Sequence, residues 1–274
     1  MNSRLIVITG ASDGIGAAGA ARLSALGNTV VVIGRSKEKT TAVANSLKTD
    51  YFVSDFSDLD QVRALAASLL GRYEQIDALV NNAGGIMGPR RITVDGHEAT
   101  FQINHLAPFL LTTLILDRLI SSRASVITTS STANKLIGRV NIDDLDSERR
   151  YSPFRAYGAA KLFNILFTKE LHRRFHERGL SSAAFHPGAV ASNFSNESGS
   201  PFHFAYTGVL KRVLLSPTKG ADTLEWLSTA QPGIEWTSGE YYVKRKVARA
   251  NKQTYNPKLA EQLWERSAAM ILQR

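Results

Sequence analysis

Leu5-Ile6-Val7-Ile8-Thr9-Gly10-Ala11-Ser12-Asp13-Gly14-Ile15-Gly16 decides how the rest of the chain is read. Five strand-favouring residues run into a glycine-rich turn. A helical pattern then continues to Leu26 and stops at Gly27. Glycines in such a turn let the backbone bend tightly and approach a pyrophosphate, whose charge faces the helix N-terminus. Gly10, Ser12, Asp13, Gly14, Ile15 and Gly16 are therefore candidate dinucleotide-binding residues. The spacing is G-x-x-x-G-x-G rather than the common G-x-G-x-x-G, and a purely structural turn is the alternative reading.

Working outward, the same alternation repeats. Strands are expected at Thr29 to Ile33, Tyr51 to Val53, Ala78 to Val80, Ser125 to Thr129, Ser182 to Phe185 and Tyr241 to Val243. Helical patterns lie between them, at Gln61 to Leu70, His105 to Leu119 and Arg155 to Arg178. Strands alternating with helices predict an α/β fold with right-handed crossovers. The expectation is a single-domain Rossmann-like, doubly wound parallel sheet of about seven strands spanning residues 1–274. A loop-like excursion is expected at about 191–216. Within it, Phe194, Phe202, Phe204 and Tyr206 form either an apolar lid over a substrate or the core of the loop itself.

Composition narrows the function classes. The 274 residues are 43% apolar and 21% charged, which argues against wholesale disorder. There is no cysteine, which excludes disulfides, thiolate metal sites and a cysteine nucleophile. No stretch reaches the roughly 18 apolar residues of a membrane span. The N-terminus lacks the apolar core of a signal peptide, so the expected location is cytoplasmic. The net charge of +9 is dispersed, and the clusters His172-Arg173-Arg174 and Lys244-Arg245-Lys246 match no nucleic-acid reading module. A solvated basic surface is expected, with no nucleic-acid partner. No metal site is expected, because His172 and His176 sit i,i+4 on a basic helix end without a third ligand placed by sequence.

In doubly wound sheets, ligands sit beyond the carboxyl ends of the strands. After the second strand stands Arg35, where an acid would bind the ribose 2′-hydroxyl of NAD. A guanidinium suits a 2′-phosphate instead, so NADP(H) is favoured over NAD(H). Asp13, inside the glycine turn, weighs slightly the other way. After the third strand, Asp55 and Phe56 face the adenine end, with a turn or capping role open for Asp55. After the fourth, Asn82, Ala83 and Gly84 are small enough to let backbone pass a ribose, and the asparagines can tie neighbouring loops. Ser130-Ser131 ends the fifth strand. Tyr157 and Lys161 are four residues apart, which puts phenol and ammonium on one helix face. A cation there favours the phenolate and brings tyrosine toward acid–base work.

This ordered set resembles the short-chain dehydrogenase/reductase family from the first strand to beyond the sixth. The resemblance implies an NADP-preferring oxidoreductase that transfers hydride between nicotinamide and an apolar carbonyl or alcohol. It implies that Tyr157 is the general acid or base. Lys161 then lowers the tyrosine pKa and holds the nicotinamide ribose, and Ser131 positions the substrate oxygen. Asn104, in Phe101-Gln102-Ile103-Asn104-His105, completes a proton relay, and Pro187 and Gly188 line the nicotinamide. Family members form dimers or tetramers through their long helices, so homo-oligomers are within the implication.

Ser131 and Tyr157 are 26 positions apart, about twice the family's usual spacing. The added segment, with Asn141-Ile142-Asp143-Asp144-Leu145-Asp146, is similar to the retinol-dehydrogenase-like branch. So are Asn104-His105-Leu106-Ala107-Pro108-Phe109 and Leu263-Trp264-Glu265-Arg266-Ser267. The alternative reading is a catalytically silent dinucleotide-binding sensor or scaffold; the intact Ser131, Tyr157 and Lys161 weigh against it.

Overall fold

The computed structural model describes residues 3–190 and 215–272. Its strands are β1 (Leu5–Thr9), β2 (Thr29–Gly34), β3 (Tyr51–Val53), β4 (Ala78–Asn81), β5 (Ser125–Thr129), β6 (Ser181–His186), β7 (Glu240–Val243) and β8 (Lys246–Val247). They form one sheet in the order β3-β2-β1-β4-β5-β6-β7-β8. β1 to β7 pair in parallel and β8 returns antiparallel to β7. The chain order reverses beside β1 and β4, which is where such a sheet opens a crevice.

Side chains alternate between two faces because successive Cβ atoms point to opposite sides of a strand. Val7, Val31, Leu79 and Val126 enter one core, and Ile6, Ile8, Val32 and Val80 the other. Helices α1 (Gly14–Ala25) and α2 (Lys37–Leu47) follow β1 and β2, and α3 (Leu59–Arg72) follows β3. Burial on both faces explains why the strands read as continuous apolar runs.

Two parts differ from the sequence expectation. The seven expected strands are joined by an eighth, made by a tight hairpin. Its turn residues Lys244 and Arg245 have φ of 52° and 60°, the left-handed pair a two-residue hairpin requires. The basic triplet is thus the turn pair Lys244-Arg245 and the first residue of β8, with Arg245 bonded to Asp222 by Nε (2.8 Å) and a terminal nitrogen (2.5 Å).

The helix expected at 105–119 is broken. It runs as α4 (Ala99–Phe101), a π turn (Gln102–Leu106), α5 (Ala107–Leu114) and α6 (Leu116–Ser121). Pro108 has no N–H to give the Asn104 carbonyl four residues earlier, so an ordinary helical bond is unavailable there. The Ala107 amide bonds instead to the Gln102 carbonyl five residues back.

After α7 (Ala133–Leu136) and α8 (Pro153–Phe175) come α9 (Pro217–Gly220) and α10 (Asp222–Thr229). A final helix, α11 (Pro257–Leu272), packs on α8. Residues 191–214, including most of the expected excursion and its four aromatics, lie outside the described residues.

Candidate functional site

The glycine turn is held by contact with the next loop. Gly10 has φ +64°, and a Cβ there would stand 2.7 Å from the Ala83 Cα. Asn82 ties three strand ends together. Its Nδ2 donates to the Thr9 and Gly10 carbonyls (both 3.1 Å), and its Oδ1 accepts from Thr129 Oγ1 (3.1 Å). Thr9 Oγ1 accepts from the amides of Asn82 and Ala83 (both 3.0 Å), a role its position alone did not announce. Asp13 caps α1, bonding the Gly14 amide at 2.7 Å, and its other oxygen pairs with Lys39 Nζ at 2.9 Å. The acid that weighed against a phosphate is therefore partnered by a lysine of α2.

A cleft of about 200 Å³ opens beside this turn. Of the sequence candidates, Gly10, Ser12, Arg35, Asp55, Phe56, Ala83 and Gly84 line it. Gly34, Ser54 and the Gly85-Ile86-Met87 run line it too and were not singled out. Gly34 carried a legible signal, a glycine at a strand end. Asp55 Oδ1 accepts from the Ser57 amide and hydroxyl at 2.9 and 2.8 Å, while Asp58 caps α3. Asp55 is thus a turn residue at the cleft wall. Phe56 is 5% exposed and sits mainly in the core. Ser54 Oγ is buried without a hydrogen bond. A close backbone cradle, a guanidinium and an unbonded hydroxyl fit a phosphorylated, polar-edged nucleotide. Gly16 and Asn82 back the turn, a Cβ on Gly16 falling 2.6 Å from Asn82 Nδ2, while Gly14 is the first residue of α1. Ile15 lies at the other end of the turn, near Gly220.

The second half of the site gathers where β4, β5 and α8 meet. Lys161 is 2% exposed, with Nζ donating to the Thr129 carbonyl at 3.1 Å. The same ammonium lies 5.5 Å from the centre of the Tyr157 ring. Burial lowers the Lys161 pKa to about 7. Asn104 reaches the same place from the π turn. It brackets Gly85, accepting from its amide (3.0 Å) and donating to its carbonyl (2.9 Å). A Cβ on Gly84, whose φ is +151°, would stand 2.3 Å from Asn104 Oδ1 and 3.3 Å from Lys161 Nζ. Asn104, Lys161 and the cofactor-side loop thus converge on one glycine.

The two serines separate cleanly. Ser130 Oγ donates to the Lys161 carbonyl at 2.7 Å, a structural bond inside the core. Ser131 is half-buried, and its Oγ accepts from the Ala133 amide at 3.2 Å. A hydroxyl whose oxygen is so engaged keeps its proton to donate. Pro187 and Gly188 follow β6, and Gly188 (φ +94°) abuts Leu215. Neither lines the cleft described above. His186 beside them is held neutral, its pKa lowered to about 4 by burial. His172, read from sequence as a surface residue, is half-buried and bonded through Nδ1 to Ser238 at 2.9 Å.

Residues 4–201 match the family described as short chain dehydrogenase. A Streptomyces sp. (strain C5) protein, provisionally named daunorubicin C-13 ketoreductase DnrU, is 40% identical over 98% of this chain and 92% of its own length. Human retinol dehydrogenase 12 is 37% identical over 98% of this chain and 86% of its own. The crystal structure of an uncharacterized protein from Mycobacterium paratuberculosis superposes with a TM-score of 0.78 at 31% identity, covering 97% of this chain and 92% of that one. With the family match, these relatives and the sheet order in agreement, this chain belongs to the short chain dehydrogenase family, on the side of its retinol dehydrogenases.

Proposed function

We propose that this oxidoreductase uses NADP(H) and acts on an apolar carbonyl or its alcohol, with residues 1–274 as one catalytic domain. The carrying observation is the convergence of buried Lys161 and Asn104 on the glycine loop that also walls the cleft, with the Tyr157 ring centre 5.5 Å from the Lys161 ammonium. When bound, the nicotinamide supplies or accepts the hydride. In the reductive direction Ser131 donates a hydrogen bond to the substrate oxygen and Tyr157 delivers the proton to it. Lys161 favours the phenolate left behind and would hold the ribose, and the proton returns to Tyr157 from water by way of the ribose hydroxyls and Lys161, with Asn104 fixing the adjoining glycine loop. Arg35 takes the 2′-phosphate. The Asp13–Lys39 pair supports this reading, because the acid of the glycine turn is partnered by a cation.

The relatives' names, a ketoreductase and retinol dehydrogenases, favour bulky apolar substrates. A cytoplasmic location belongs to the same proposal; recovery of the protein with membranes on fractionation would count against it. Titration calorimetry with NADPH and NADH side by side tests the cofactor. Tighter NADPH binding, lost in Arg35→Ala, is expected, and equal binding of both would refute the assignment of Arg35. Turnover is tested on a polyene aldehyde, an aromatic aldehyde and a polycyclic ketone. Tyr157→Phe should keep NADPH binding and lose about 10²-fold or more in kcat; wild-type rates in that variant would remove Tyr157 from the chemistry.

A further inference from the structure

The long segment between Ser131 and Tyr157 begins with a knot that reaches the far end of the chain. Asn134, in α7, is fully buried. Its Nδ2 donates to the Ser131 carbonyl at 2.5 Å, and its Oδ1 accepts from the Asn251 amide at 3.0 Å. Asn251 returns the contact. Its Nδ2 donates to the carbonyls of Asn134 (3.0 Å) and Gly138 (2.9 Å), while its Oδ1 accepts from the Gln253 amide (3.0 Å). Every hydrogen-bonding direction of that one side chain except a second lone pair is committed. Gln253 adds a bond to the Val140 amide at 3.1 Å.

The opposite side of this turn presses on α8. A Cβ on Gly138 would lie 2.6 Å from the Gly158 carbonyl, and one on Gly158 would lie 2.9 Å from the Gly138 amide. Gly158 is the residue after Tyr157. The turn that starts with Ser131 is thus gripped by Asn251 on one side and seated on backbone adjoining Tyr157 on the other.

We propose that Asn251 is a positioning residue for Ser131. Its side-chain amide sets where the Ser131 hydroxyl stands relative to the Tyr157 phenol. The proposal rests on the reading of Ser131 and Tyr157 as the catalytic pair. Ser131 has one local bond to its hydroxyl oxygen, so its aim follows the shape of the turn. A misplacement of about 1 Å in such an arrangement can cost about 10²-fold in rate.

The test uses Asn251→Ser, which keeps a short capping hydroxyl but removes both amide bonds. Asn251→Asp, of the same shape, is the second variant. Each is measured for kcat and KM on the best substrate of the panel above, for NADPH affinity, and for amide exchange over residues 131–140. We expect kcat to fall about tenfold or more, NADPH affinity to stay within about twofold, and exchange over 131–140 to quicken. In a Ser131→Ala background the same substitution should change kcat less than about twofold, because the two act through one hydroxyl. An undiminished effect in that background, or wild-type kcat in Asn251→Ser, overturns the proposal. If no substrate is turned over, or Ser131→Ala is fully active, the functional reading fails separately. Unchanged exchange over 131–140 would then refute the clamp on its own.

Discussion

Lys161 shows how much a single residue's surroundings decide. The sequence placed it one turn from Tyr157 and said nothing of its depth. The structure buries it with one carbonyl as its hydrogen-bond acceptor, and desolvation lowers its pKa to about 7 from 10.5. The unfolded chain keeps that proton up to about 10.5, the folded chain only to about 7. Between those values the unfolded state binds more protons, so this residue makes stability rise with pH across that window. Urea unfolding of the apoprotein at pH 7 and pH 10 should show the rise, and Lys161→Met should reduce it. An identical pH slope in the variant would mean the lysine is hydrated. Arg35 and Tyr157 were legible because their identity and position carry the signal. Ser54 and Thr9 were not, because a serine or threonine declares itself only by what it faces.

Among the elements, the parallel strands were the most legible. Their runs of Val, Ile and Leu serve two cores at once and leave no ambiguity. α2 was missed because only Thr40 and Ala44 of it are buried, which leaves little periodicity to read. The π turn was missed because an apolar run looks the same whichever way its carbonyls are bonded; Pro108 was the available hint. α11 matters through its contacts. Ser267 bonds His105 Nε2 at 2.9 Å, and Trp264 packs on Phe109 and Phe167 at 4.9 and 5.9 Å between ring centres. The helix therefore buttresses both the π turn carrying Asn104 and the helix carrying Tyr157. Replacing Trp264 with Ala should cost about 2–3 kcal/mol, below the full range for a deeply buried aromatic because this ring is half-exposed. Chemical denaturation checks this; a loss under about 0.5 kcal/mol would show that α11 is not seated as described.

For the whole molecule, two imidazoles, the buried His105 and the half-buried His186, set the acid limit. Burial lowers His105 to about 3 and His186 to about 4, so both are neutral when folded. Unfolding frees them to take protons near 6.5, and stability falls as pH drops from 6.5 toward about 4. Below that, carboxylates held low by Arg72 and Tyr73 (Asp50) and by Arg245 (Asp222) add to the loss. Denaturation midpoints at pH 7, 5.5 and 4.5 should decline, and His105→Gln should soften the decline; a flat profile would contradict the desolvation of both rings. The sheet's outline has a further consequence. Its longer strands lie inside, and its two edges are β3, three residues long, and β8, two residues beginning with a lysine. Such edges offer a neighbouring chain too little unpaired backbone to extend the ladder. The protein should therefore tolerate crowding without growing fibrils from its sheet, and copies that do associate must meet through helices or loops.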